Sequence, residues 1–79
     1  MDPVQEHLLR RWISGVIARE GYSLVRTSRD NAQYDRHGRW SRWYFDKQLH
    51  RSLLVETNVD LADLASRCRA YLNTNQLKK

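Results

Sequence analysis

Seventy-nine residues, 41% apolar and 29% charged, are enough for one small domain and too few for two. The single cysteine, Cys68, excludes an internal disulfide and with it the stapled secreted miniproteins. Fourteen Lys and Arg against nine Asp and Glu leave a net charge of +5, which favours nucleic acid, anionic surfaces or acidic proteins as partners.

Eleven of the fourteen cations are Arg, a bias that suits bidentate contacts to phosphate or carboxylate and that also arises from GC-rich coding. No run approaches the roughly eighteen apolar residues of a membrane span. The N-terminus lacks a basic region followed by an apolar one, so a soluble cytoplasmic protein with no membrane partner is expected.

Residues 2 to 20 carry a helical pattern, with Asp2 as N-cap, Pro3 in the first turn and Gln5 completing a variant capping box. Val4, Leu8, Leu9, Trp12, Ile13, Val16 and Ile17 form one wide apolar stripe, and Gly21 suits the left-handed position that ends the helix. Residues 22 to 27 read as a first strand. The polar segment 28 to 38 reads as an exposed loop, with a short strand near Gln33 to Asp35 before a turn at His37 and Gly38.

Residues 39 to 46 and 52 to 57 read as a hairpin turning around Lys47 to His50. Thr57 or Asn58 then caps a second helix whose stripe is Leu61, Leu64, Ala65, Cys68, Tyr71 and Leu72. The expected class is α+β, in the order α-β-β-β-α: a small three-stranded antiparallel sheet with the N- and C-terminal helices packed on one face. One compact domain should span residues 1 to 74, with 75 to 79 a frayed polar tail.

The stretch RHGRWSRWYFDK holds two Trp, a Tyr and a Phe among three Arg and a Lys. On a strand, alternation separates Arg39, Ser41, Trp43 and Phe45 from Trp40, Arg42, Tyr44 and Asp46. Trp43 and Phe45 are the better core pair, and Leu53, Val55 and Thr57 would join them inward; a one-residue bulge would swap the faces, exposing Trp43 and burying Trp40. The open face would then display Trp40, Arg42, Tyr44 and Leu54. Arg26 would add to it from the first strand, Arg29 and Arg36 from the loop, and Arg39, Lys47 and Arg51 from the ends of the hairpin. Rings that stack on bases, interleaved with Arg for phosphate, point to nucleic-acid binding. Residues 22 to 55 hold seven Lys or Arg against three acids, which is +4 of the net +5.

The Trp- and Arg-containing middle strand, followed by a strand that enters an amphipathic helix, resembles in outline the three-stranded DNA-binding modules of plant AP2-type domains and some phage integrase arms. Those modules place the sheet in the major groove; the long first helix here departs from them. The element order is also similar to double-stranded RNA-binding domains, but Asp60 and Asp63 stand where those carry a Lys cluster. DNA is therefore the better expectation than duplex RNA.

His7, His37 and His50 are dispersed and one cysteine completes no zinc set, so no metal or other cofactor is expected. Asp35, His37 and Arg39 alternate around a turn that reads as a solvated hairpin, and no phosphate loop or nucleophile elbow is present. The leading expectation is a non-enzymatic nucleic-acid-binding protein, a phage- or plasmid-type regulator or accessory factor. The alternative is an inhibitor or adaptor, of the kind mobile elements encode, that binds a host protein complex with the same Trp, Tyr and Arg residues. A homodimer burying Trp40 and Tyr44 is a third reading.

Overall fold

The computed structural model describes residues 2 to 77, with side chains as far as Thr74. Its elements are α1 (Pro3–Ala18), β1 (Tyr22–Arg26), α2 (Tyr34–His37), β2 (Trp40–Asp46), β3 (Arg51–Glu56) and α3 (Leu61–Leu77). The strands form one antiparallel sheet in the order β1-β2-β3, and α1 and α3 pack on the same face of it. The α+β arrangement is the one read from the sequence, with one added helical turn in the loop.

Local chemistry sets the helix ends. Asp2 Oδ1 accepts the Val4 N–H at 2.8 Å with Pro3 behind it, so the first turn of α1 is capped. At the far end Gly21 adopts φ +85° and donates to the Ala18 carbonyl, turning the chain directly into β1. A Cβ there would come within 3.2 Å of the Tyr44 ring.

Residues 34 to 37 form a helical turn, not the short strand expected at Gln33 to Asp35. Asn31 Oδ1 accepts the Gln33 N–H at 2.8 Å, which starts the turn, and Gly38 at φ +74° stops it. The cap of α3 also differs. Asp60 Oδ1 accepts the Ala62 N–H at 2.9 Å, while Asn58 lies at φ +52° and donates its N–H to the His37 carbonyl at 2.7 Å. The helix continues through Leu77; residues 78 and 79 of the expected tail lie outside the described residues.

The core joins Ile13, Val16 and Ile17 of α1 to Leu61, Leu64, Ala65 and Cys68 of α3, with Trp40 as the sheet's buried ring and Val59 closing the end. Full burial of side chains this size is worth about 1.5–3 kcal/mol each. Only part of the α1 stripe is used: Val4, Leu8 and Trp12 stay exposed. Seven apolar residues make a stripe wider than one helix and three short strands can cover. Among the described residues no helix is long and apolar enough to cross a membrane.

Candidate interaction surface

The two faces of β2 are the reverse of the sequence expectation. Trp40 is 5% exposed and sits in the core with the helices, whereas Phe45 is 47% exposed on the open side. The cause is the pairing with β1. Tyr22 lies opposite Tyr44 and Leu24 opposite Arg42, so the apolar parity of β1 carries the Trp40, Arg42 and Tyr44 set inward.

Strand β3 adjusts to this by a bulge. Arg42 is opposite Glu56 and Trp43 opposite Leu54, which leaves Val55 as the extra residue. Leu53 and Glu56 thus share the helix side, while Leu54 joins Trp43 on the open side. Thr57, expected inward, is exposed.

An inward arginine is accommodated because its guanidinium reaches the mouth of a cleft of about 560 Å³ between α1, α3 and the sheet. There Arg42 Nε lies 3.3 Å from Glu56 Oε1, and its guanidinium sits 4.7 Å over the Tyr22 ring. Arg67 Nη2 donates to Glu56 Oε2 at 2.9 Å and its Nε reaches Asp63 at 3.1 Å. The hydrogen bond to Glu56 holds the Arg67 guanidinium above its ordinary pKa. Tyr71 donates to Glu20 across the same cleft, tying the end of α1 to α3. Cys68 is in its wall, and burial raises the thiol pKa.

The open face is uncharged along its strands. Ser23 and Val25 of β1, Ser41, Trp43 and Phe45 of β2, and Ser52 and Leu54 of β3 share its parity. Trp43 Nε1 donates to Ser41 Oγ at 2.8 Å, and His37 of α2 meets the Trp43 ring edge-on at 5.7 Å. Val25, Phe45 and Leu54 remain exposed around them, with Val55 and Leu49 close by in sequence.

The cations expected on that face are elsewhere. Arg39 donates to Glu6 of α1 at 2.6 Å. Arg26 and Arg39 line two adjoining depressions beside β1, one reaching Arg10 and His7 of α1, the other reaching Arg29 and Tyr34 of the loop. Arg36 is on α2, and Lys47 and Arg51 flank the β2–β3 turn. Among the described residues Arg26, Arg29, Arg36, Lys47 and Arg51 make no salt bridge. The structure therefore separates two surfaces that the sequence merged: an apolar sheet face and an arginine-lined edge.

Several participants had no clear signal in the sequence. Val25 and His37 join the open face, and Glu6, Arg10 and Tyr34 join the edge, through contacts between distant segments. The exposed Val4, Leu8 and Trp12 could have been found by weighing stripe width against sheet size. Arg69 stacks 5.4 Å from the Trp12 ring. Among the described residues no three His, Cys, Asp or Glu side chains gather as a metal site. Comparison with protein-family models, with curated proteins and with solved structures finds no match to this chain.

Proposed function

We propose that this chain is a small non-enzymatic protein-binding module, of inhibitor or adaptor type, that docks its open sheet face on a host protein. The carrying observation is the uncharged face on which Val25, Trp43, Phe45 and Leu54 stand together, with Arg36 next in sequence to His37 and Lys47 just past the end of β2. An apolar centre with a polar, cationic rim is the anatomy of a protein interface, and Trp and Arg are prominent among interface hot spots. A sheet that entered a DNA groove would need cations among its rings, because phosphate contacts supply most of the affinity. Here Arg42 is committed to Glu56 on the opposite side of the sheet.

The test is affinity capture from host extract with the wild-type chain and with a Phe45→Ser/Leu54→Ser variant. One stoichiometric protein should co-purify with the wild type and be lost from the variant. Equal capture by both would sink the reading.

A second reading, nucleic-acid binding, is favoured by a specific observation: Arg26, Arg29 and Arg39 surround one depression with Tyr34 in its wall. It predicts salt-sensitive binding of DNA oligonucleotides that Arg26→Ala/Arg29→Ala abolishes and Phe45→Ser/Leu54→Ser leaves intact.

A further inference from the structure

Strand β1 is an outer strand, and the ladder decides which of its backbone groups are unpaired by the sheet. The Gly21 carbonyl accepts the Phe45 N–H at 3.0 Å, and the Thr27 N–H donates to the Arg39 carbonyl at 2.8 Å. In an antiparallel pair, a residue bonded to its partner turns both its N–H and its C=O toward it, and its neighbours turn theirs away. Positions 21, 23, 25 and 27 thus face β2. The N–H and C=O of Tyr22, Leu24 and Arg26 point to the other side.

Space lies between α1 and the helix side of the sheet, next to this outer strand. A cleft of about 440 Å³ is bounded by Leu24 and Arg26 of β1, by Trp40 of β2 and by Glu6, His7 and Arg10 of α1. Past Arg26 and Arg39 it adjoins the depression that reaches Arg29. Four arginines therefore border the groove against one carboxylate, Glu6, whose Oε1 is 2.6 Å from Arg39 Nη2. Glu6 illustrates the chemistry the groove accepts, and one carboxylate leaves most of its positive charge unanswered.

We propose that the free edge of β1 takes an extended acidic segment of a partner protein as a fourth strand. The segment's backbone would pair with Tyr22, Leu24 and Arg26. Side chains at every second position would lie on the helix side, where carboxylates displace Glu6 from Arg39 and engage Arg26 and Arg10. The intervening side chains would lie beside Val25 and extend the apolar face. Main-chain bonds supply affinity in this mode and the alternating side chains supply selectivity. The occupant's nature rests on the protein-binding reading, but the surface is a different one.

The test uses a fluorescein-labelled heptapeptide of alternating Glu and Val, with an oligothymidine of similar charge as control, in low salt. Anisotropy should report peptide binding that weakens about tenfold in Arg26→Ala/Arg39→Ala, the loss expected for charge-assisted hydrogen bonds. Glu6→Gln should bind the peptide more tightly, because the internal competitor is gone. Amide exchange followed by NMR should slow at Leu24 and Arg26 on binding and stay unchanged at Ser23 and Val25, which are already paired. Binding without protection at Leu24 and Arg26 would overturn the added strand, as would binding of oligothymidine alone. Protection of the same amides at high protein concentration without peptide would assign the edge to a second copy and overturn the proposal. Loss of peptide binding while Phe45-dependent capture persists would defeat the edge alone; loss of both would defeat the protein-binding reading.

Discussion

The indole N–H of Trp43 is held by the hydroxyl of Ser41, two positions back on the same face of β2 and 2.8 Å away. Ser41 is fully buried although it belongs to the open side. Replacing Ser41 with Ala leaves that part-buried donor without its partner. Ser41→Ala should lower unfolding free energy by about 1 kcal/mol in urea titration.

The facing of β2 is testable through stability alone. Trp40→Ala should cost about 3–5 kcal/mol, a large share of what a domain this size possesses. Phe45→Ser, on the open side, should change stability by about 0.5 kcal/mol. Thermal melts of the two variants check this, since about 1 kcal/mol moves the midpoint of a small domain by about 4–8 °C. Comparable losses would mean that Phe45 is also core.

Apart from the α2 turn, read as a short strand, element type and order were legible because each signal is local. Asp2 with Pro3, Gly21, and the Trp40 to Asp46 run act within a few residues, and the elements fall within a few positions of where those signals put them. Facing was not legible, since both parities of β2 carry large rings and a one-residue choice exchanges them. Arg42 suggested solvent, yet its guanidinium lies along the sheet beside Glu56, an ion pair at 3.3 Å that leaves the buried Nε without a hydrogen bond. The deciding facts, the β1 register and the bulge at Val55, are pairings between strands. The arginine edge was hidden for the same reason: Arg10, Arg26, Arg29 and Arg39 belong to separate segments that only the fold assembles.

Glu56 is the shared counter-ion of two guanidiniums, one on β2 and one on α3. Glu56→Gln keeps the shape and removes the charge, leaving Arg42, 22% exposed, without its counter-ion while Arg67 retains Asp63. The expected cost is about 1–3 kcal/mol by chemical denaturation. Arg67→Ala should cost less, about 0.5 kcal/mol, because that side chain is largely in water.

Burial raises the Cys68 pKa, so the folded state favours the neutral thiol. A raised acid pKa gives stability that is complete below the ordinary thiol value, 9.0, and that is lost as pH rises through the higher folded value. Urea titrations from neutral to strongly alkaline pH should show a steeper loss for the wild type than for Cys68→Ala. At neutral pH a thiol reagent should react only after unfolding. Fast labelling of the folded chain would contradict the buried assignment.

The molecule measures 45 × 38 × 15 Å between Cα extremes, and its two long helices, α1 and α3, cover only one side of the sheet, while α2 reaches the other at Trp43. A second layer on the bare side would turn the Val25, Trp43, Phe45 and Leu54 face into interior. The folded population and the bound population are then coupled by mass action, and a ligand at a hundred times its dissociation constant adds about 2.7 kcal/mol to the folding free energy. The lifetime of the free chain among proteases would accordingly follow the abundance of whatever completes its sheet.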